Sequence, residues 1–192
     1  MFRGRRQDRL VAIFCRWYDS QSTQIGGRCA NKKKVAGEPA DHAIGRSCGG
    51  LTTKIVAVCD NNIHPLTTLV CAGQASDNPL VLPAVDQVKV RTPSGRIRRR
   101  PKKVLGDKGC SSKNNREGLR KRGITPVIAY KSNEEGATRP FDSVAYKKRN
   151  VIERLFGHLK ECRRIATRYD KLAVRYHAFV KIACIRYLLT KL

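Results

Sequence analysis

Short apolar runs alternate along this chain with apolar residues at helical spacing. Leu10 to Tyr18 is an apolar run with an aromatic end, and it predicts a first strand that delivers Asp19 at its carboxyl end. Two further β-rich runs, Leu51 to Cys59 and Pro65 to Cys71, flank Asp60-Asn61-Asn62 and predict a hairpin. Two later strands are predicted at Val104 to Gly106, just before Asp107, and at Pro126 to Tyr130.

Helical patterns dominate the last third of the chain. We expect a helix over about 142–165 with Asp142 as its N-cap, and a last helix over about 170–190. The inner face of the last helix is predicted at Leu172, Tyr176, Phe179, Ile182, Ala183 and Leu189. Shorter helices are predicted at 113–122 and after Asp77, where Pro79 and Pro83 limit the length.

The order of elements places antiparallel strands first and helical crossovers later. This order predicts a mixed α/β sheet with helices on both faces. We expect a single domain over residues 1–192, with mobile basic loops at about 24–50 and 89–103. The second loop carries eight basic residues and no acidic one, so it is the densest positive segment of the chain.

One face of the helix predicted over about 142–165 carries candidate functional residues. At about 100° per residue, Tyr146, Arg149, Glu153 and Lys160 fall within one narrow stripe. An adjoining apolar stripe predicts the core-facing side: Val151, Ile152, Leu155, Phe156 and Leu159. A carboxylate between cations suits a metal ion and phosphate oxygens, whereas mixed charges on a helix are more often only a solvated face.

The charge balance favours a polyanionic partner. Forty Lys and Arg against fifteen Asp and Glu leave a net charge of +25, which favours nucleic acid over an anionic membrane. The sequence has no apolar run long enough to span a bilayer and no signal-peptide pattern, so we expect a cytoplasmic protein. Its eight cysteines form no C-x-x-C pair, so we expect reduced thiols rather than a structural zinc site.

Three carboxylates occupy informative positions. Asp19 and Asp107 each follow a predicted strand, and Glu153 projects from a helix. In open α/β sheets, sites form at the carboxyl ends of strands. Clustered carboxylates need cations, and two Mg²⁺ ions about 4 Å apart support in-line phosphoryl transfer.

Several motifs together resemble one family, the DDE transposases of bacterial insertion sequences, and most closely the insertion-sequence family numbered five. The matching motifs are Asp19-Ser20, the block from Gly45 to Ile55 (GRSCGGLTTKI), Gly73 to Asp77 (GQASD), Leu105 to Gly109 (LGDKG), the helix pattern Y-x2-R-x3-E-x6-K, and Arg164 to Lys171 (RIATRYDK). The resemblance implies a ribonuclease-H-like fold with a five-stranded mixed sheet. It also implies Mg²⁺-dependent (or Mn²⁺-dependent) cutting and joining of DNA strands at a DDE triad. The implied partners are the inverted-repeat ends of a mobile element, target DNA and further copies of the protein in a synaptic complex, within the bacterial cytoplasm and at the nucleoid.

The resemblance also implies roles for individual residues. Asp107 and Glu153 match the second and third acidic positions of the triad. Asp19 matches the first, and Asp60 at the hairpin is the alternative. The residues expected to contact DNA are Tyr146, Arg149, Lys160, Arg46 and Lys54, together with Arg98, Arg99, Arg100, Lys102 and Lys103 of the basic loop. His158 lies on the same helix but off the catalytic stripe.

Two positions depart from the family pattern: Cys48 replaces a basic residue, and Cys110 stands where an aromatic residue commonly follows Asp-Lys-Gly. Family members usually carry an additional N-terminal helical region that grips the element's ends, and this chain is expected to lack it. Two alternatives therefore stay open. One is an inactive or partial transposase that only binds DNA, and the other is a basic structural nucleic-acid-binding protein.

Overall fold

The computed structural model describes residues 11–14, 19–22, 36–47, 50–92, 94–134 and 142–191. The chain divides into two compact units. The first unit comprises Met1–Arg16, Ala57–Thr67 and Ser76–Leu155, and the second comprises Trp17–Val56, Thr68–Ala75 and Phe156–Leu192. The expectation of a single domain stays a prediction.

Both units contain strands and helices, which confirms the predicted mixed α/β class. The described strands are β1 (Val11–Phe14), β2 (Asp19–Ser22), β3 (Gly45–Ser47), β4 (Gly50–Cys59), β5 (Pro65–Ala72), β6 (Val90–Arg91), β7 (Ile97–Arg98), β8 (Lys103–Gly106), β9 (Thr125–Ile128) and β10 (Thr167–Arg168). The described helices are α1 (Asn78–Asp86), α2 (Lys113–Lys121), α3 (Ser143–Lys147), α4 (Val151–Lys160), α5 (Arg163–Ala166) and α6 (Ala173–Leu189). No helix among these residues has the length and hydropathy required to cross a bilayer.

Parallel strands form the centre of the first unit. β8 pairs in parallel with β1 and with β9, and β1 pairs antiparallel with the end of β4. A helical connection is needed between parallel neighbours, and α2 supplies it between β8 and β9. Strands buried on both faces read as continuous apolar runs, which is why the buried residues are Val104, Leu105, Val127 and Ile128.

The second unit is built around the first part of β4. β2 and β3 both pair antiparallel with this part of the strand, and β10 pairs in parallel with β2. β4 and β5 pair across the Asp60 turn, so the predicted hairpin is confirmed. The stretch Thr52 to Val56 is buried throughout.

Gly45 and Gly73 belong to two different sequence motifs, and each lies against a residue of the other motif in the second unit. The Gly73 N–H donates to the Thr52 carbonyl oxygen at 3.1 Å. A side chain at Gly73 would overlap the Thr52 hydroxyl, and one at Gly45 would overlap the Gln74 amide. Because only glycine lacks a Cβ, both positions allow a close approach that another residue would prevent.

The predicted helix over 142–165 is right at its start and wrong at its end. Asp142 caps α3, since its Oδ1 accepts a hydrogen bond from the Ala145 N–H at 2.8 Å. A 3₁₀ turn, Lys148–Asn150, separates α3 from α4, and the apolar stripe predicted for α4 is buried. α4 ends at Lys160, and after a break at Glu161 and Cys162 the chain forms the separate short helix α5, which is followed by β10.

Three further predictions need correction. The segment 89–103 is not only a loop, because β6 and β7 form an antiparallel hairpin within it. Likewise, β3 lies within the predicted loop 24–50. Ile182 and Leu189 are 57% and 62% exposed, because the buried face of α6 follows a different helical stripe: Ala173, Tyr176, Val180, Ala183, Cys184 and Tyr187.

Candidate active site

Asp107 follows the last residue of β8 directly. β8 is apolar and buried, so the chain reaches the surface at this aspartate, whose side chain is 39% exposed. Asp107 then caps the 3₁₀ turn Lys108–Cys110, because its Oδ1 accepts a hydrogen bond from the Lys108 N–H at 2.6 Å. The residue therefore stands at a strand end, as the sequence predicts.

A single guanidinium brings Asp107 and Glu153 to one place in the first unit. Arg149 Nη1 lies 2.9 Å from Asp107 Oδ1, and Arg149 Nη2 lies 3.8 Å from Glu153 Oε1. Arg149 and Glu153 are four positions apart on the helical path from the 3₁₀ turn into α4, so their side chains share a face. The second and third carboxylates of the predicted triad thus lie within the span of one arginine head group.

The second oxygen of Glu153 has a different environment. Glu153 Oε2 is buried and accepts no hydrogen bond from any residue that the structure describes. A buried carboxylate oxygen without a donor is costly, which makes it a candidate ligand for a cation. Among the described residues, however, no three His, Cys, Asp or Glu side chains group closely enough to hold a metal ion.

Tyr146 belongs to the same cluster. The Arg149 guanidinium carbon lies 5.2 Å from the centre of the Tyr146 ring, which is within the range of a cation–π contact. Burial raises the pKa of the Tyr146 phenol above its ordinary value, although Arg149 opposes the shift. The phenol is therefore neutral at physiological pH and can donate a hydrogen bond to an anion.

Asp19 begins β2 and pairs with Lys54 of β4 in antiparallel register. Asp19 therefore lies within a described strand, whereas the sequence predicts that it follows one. The polar run Asp-Ser-Gln-Ser carries no apolar strand signal, so only its pairing with β4 reveals β2. The Asp19 side chain, residues 15–18 and Cys48 lie outside the described part of the structure.

Asp60, the alternative first acidic residue, stabilises its own turn. Its Oδ1 accepts hydrogen bonds from the Asn62 and His64 N–H groups at 2.8 and 2.9 Å. Its Oδ2 lies 2.9 Å from His64 Nδ1. Both carboxylate oxygens are therefore engaged within the β4–β5 turn, which accounts for this aspartate without a catalytic role.

The basic segment is a surface hairpin followed by an extended stretch. Arg98, Arg99, Arg100 and Lys102 are all exposed. Lys103 is different, because its Nζ lies 2.8 Å from Asp142 Oδ2 at the start of α3. The exposed members form a positively charged surface of the first unit that suits a phosphate backbone.

The other predicted DNA contacts lie in the second unit and differ in exposure. Arg46 on β3 and Lys160 at the end of α4 are exposed. Lys54 is only 7% exposed, and its Nζ donates to the Ala75 carbonyl oxygen at 2.5 Å. This burial leaves little of the Lys54 side chain open to DNA, and its predicted role stays a prediction.

Among the described residues of the second unit, the most buried cation is one that sequence reasoning missed. Arg168 is fully buried and donates to four carbonyl oxygens and to the Thr53 hydroxyl. Its carbonyl acceptors belong to His42, Ala43, Asp170 and Lys171. The only signal was the motif RIATRYDK itself, because nothing in a sequence distinguishes a buried arginine from a surface one.

Comparison with known proteins gives two agreeing results. Residues 15–188 match the family model described as a transposase DDE domain. The chain is also 32% identical over 161 residues to the putative transposase for insertion sequence element IS402 of Burkholderia cepacia. This similarity covers 83% of the present chain and 71% of the relative.

Proposed function

Because the chain belongs to the DDE transposase family, whose members cleave and transfer DNA strands, we propose that Asp19, Asp107 and Glu153 are its catalytic carboxylates. The observation that carries the proposal is the convergence of Asp107 and Glu153 on Arg149, at 2.9 and 3.8 Å. For the first acidic position of the triad, Asp19 is preferred over Asp60, because both Asp60 carboxylate oxygens already stabilise a turn.

DDE transposases generally use divalent metal ions, and the residues of the first unit fit this requirement. Carboxylate oxygens are the ligands that Mg²⁺ prefers, and Glu153 Oε2 is a buried oxygen without a donor among the described residues. We propose two Mg²⁺ ions, replaceable by Mn²⁺, held by Asp19, Asp107 and Glu153. When bound, such ions activate a water or a 3′-hydroxyl and stabilise the departing oxygen.

The residues around the carboxylates would bind and orient the DNA. Arg149 offers a planar fork that matches a phosphate, and the neutral Tyr146 phenol offers a hydrogen-bond donor. Lys160 and Arg46 would add positive charge along the path of the strand. None of these groups needs to transfer a proton, because their role is to hold the scissile phosphate in line with the attacking oxygen.

As a transposase, the protein binds DNA, and its net charge of +25 favours that polyanion. The finer proposal is that its substrates are the inverted-repeat ends of a mobile element and a target duplex. The basic hairpin residues Arg98 to Arg100, with Lys102 and Lys103, would follow the phosphate backbone. Two or more copies would bring two ends together in a synaptic complex.

The family also implies a ribonuclease-H-like fold. We propose that its five-stranded mixed sheet corresponds to the strands of this chain that carry or flank the carboxylates. The parallel pairs β1–β8 and β8–β9 and the antiparallel pairs of β4 support this proposal.

The decisive experiment compares Glu153→Gln with a matched control, Glu161→Gln, in a Mg²⁺-dependent strand-cleavage assay. Glu161 is an exposed glutamate just after α4, so its substitution removes the same charge away from the carboxylate pair. We expect Glu153→Gln to abolish cleavage with nearly unchanged DNA affinity, because the amide loses the anionic ligand but keeps the shape. Cleavage at a comparable rate by this variant would refute the assignment, and a wild-type protein that only binds DNA would support the inactive-remnant alternative.

A further inference from the structure

Asp107 and Glu153 already share a cation, the guanidinium of Arg149. We infer that Arg149 is an internal counter-ion that weakens divalent-metal binding until a DNA phosphate draws the guanidinium away. DNA binding and metal binding would then be coupled through one side chain. The inference rests on the proposed function, because it requires Asp107 and Glu153 to be metal ligands.

The first step is steric, because Arg149 crowds the approach to one oxygen of Asp107. Asp107 Oδ1 accepts a hydrogen bond from the Lys108 N–H at 2.6 Å and lies 2.9 Å from Arg149 Nη1 in an ion pair. Mg²⁺ binds carboxylate oxygens at about 2.0–2.1 Å, so it needs space beside this oxygen that the guanidinium and the Lys108 N–H restrict. Movement of Arg149 would open that space.

The second step is electrostatic. The Arg149 guanidinium remains charged at any physiological pH. The side chains of Arg149 and Glu153 are only 25% and 24% exposed, so water screens their charges incompletely. A divalent ion held by Asp107 and Glu153 would lie close to this positive charge and be repelled by it.

The third step is that the same guanidinium nitrogens suit DNA. Nη1 and Nη2 face the two carboxylates, and this pair of nitrogens can bind a phosphate in bidentate fashion. A phosphate that takes Arg149 leaves both carboxylates with excess negative charge, which increases their demand for metal. Because coupling between two binding sites is reciprocal, bound metal must strengthen DNA binding by the same factor.

The test measures Mn²⁺ affinity from the spin-resonance signal of free Mn²⁺, so it does not depend on activity. Wild type, Arg149→Gln and Arg154→Gln are each titrated with and without a random-sequence DNA duplex. Arg154 is the matched control, because it is an exposed arginine on α4, next to Glu153. We expect Arg149→Gln to bind Mn²⁺ about tenfold more tightly than wild type without DNA, within the usual range of coupling. We expect DNA to tighten Mn²⁺ binding by a similar factor in wild type and in Arg154→Gln, but not in Arg149→Gln.

Unchanged Mn²⁺ affinity in Arg149→Gln, or an equal gain in Arg154→Gln, would overturn the inference. Should Arg149→Gln fail to fold by circular dichroism, the wild type decides alone, since Mn²⁺ affinity that is independent of DNA excludes the coupling. Asp107→Asn and Glu153→Gln separate this inference from the proposed function. If both lose Mn²⁺ while Arg149→Gln matches wild type, only the counter-ion role fails, and if both bind Mn²⁺ as wild type does, the proposed metal ligands fail as well.

Discussion

Two arginines, one in each unit, show how differently the same side chain is used. Arg168 is fully buried, and neutral oxygens accept all of its described hydrogen bonds. Arg149 is 25% exposed, and its described partners are two carboxylates. Burial lowers the pKa of the Arg168 guanidinium, although Tyr176 and nearby carboxylates oppose the shift.

The two arginines differ in whether an incoming anion can replace their present hydrogen-bond or ion-pair partners. An anion has no access to Arg168, and the carbonyl oxygens around it would lose their donors if the side chain moved. Arg149 can exchange one anionic partner for another at the surface, because a phosphate offers the same geometry as a carboxylate. The first arrangement stabilises a segment of the chain, whereas the second suits a site that binds and releases a ligand.

The largest effect is expected for stability when Arg168 is replaced. Arg168→Met should lower the free energy of unfolding by at least about 3 kcal/mol, because several buried carbonyl oxygens lose a donor at about 1–3 kcal/mol each. Only part of this loss is offset by no longer burying a charge. Arg149→Met should change the free energy of unfolding by no more than about 1 kcal/mol, since its ion pairs are partly solvated. Urea unfolding of both variants measures the contrast, and equal destabilisation would remove the distinction between the two arginines.

The exposed arginines of the basic hairpin provide a third environment for the comparison. Replacing Arg99 by Gln should weaken binding to all DNA sequences alike and reduce the slope of log K against log salt by about one unit, because one phosphate contact is lost. At 0.1 M salt this amounts to slightly less than tenfold in affinity. Fluorescence anisotropy over a salt series measures the slope, with Lys181→Gln on α6 as the control. A change confined to one DNA sequence would instead indicate that Arg99 reads bases.

The smallest effect is expected at Glu38, a carboxylate near Arg168 in the second unit. Glu38 accepts hydrogen bonds from the Ala173 and Val174 N–H groups at 2.8 and 3.0 Å, and so caps α6. Burial raises the pKa of Glu38, but these bonds and His42 outweigh burial and hold it below its ordinary value of 4.5. The stabilisation is therefore complete above pH 4.5 and lost as the pH falls through the lower, folded-state pKa.

Glu38→Gln should cost about 1 kcal/mol at pH 7, the usual value of a helix cap, and should flatten the acid side of the stability profile. Thermal unfolding between pH 7 and pH 3 measures both effects. An unchanged acid profile would show that another carboxylate controls stability in this range.

The sequence predicted the parts of the site that depend on local patterns. The strand-end position of Asp107 was predictable because an apolar run precedes it, and helical periodicity placed Glu153 beside Arg149. The ion pair from Arg149 to Asp107 was not predicted, since it depends on how the end of β8 approaches the 3₁₀ turn before α4. Arg168 was missed for the same reason, because its acceptors at His42 and Ala43 are distant in sequence.

The fold was predictable where the apolar side chains of an element form a regular pattern in the sequence. The apolar strands β4, β8 and β9 were found. In contrast, β2 is polar and β6 and β7 are only two residues long, and all three exist through pairing with other strands. The long helix was predicted past Lys160 because its residues continue to favour a helix. A turn at Glu161 and Cys162, where Cys162 has an extended backbone, separates α4 from α5 within the predicted range, and no local pattern reports it.

The contact between Gly73 and Thr52, and that between Gly45 and Gln74, bear on how such a gene can vary. Each glycine leaves room for a side chain that belongs to the other motif, so neither motif is free to change alone. A hybrid gene that takes residues 45–55 from one relative and residues 73–77 from another would preserve function only if the two donors agree at these four positions. The two motifs, although separate in the sequence, therefore behave as a single heritable unit.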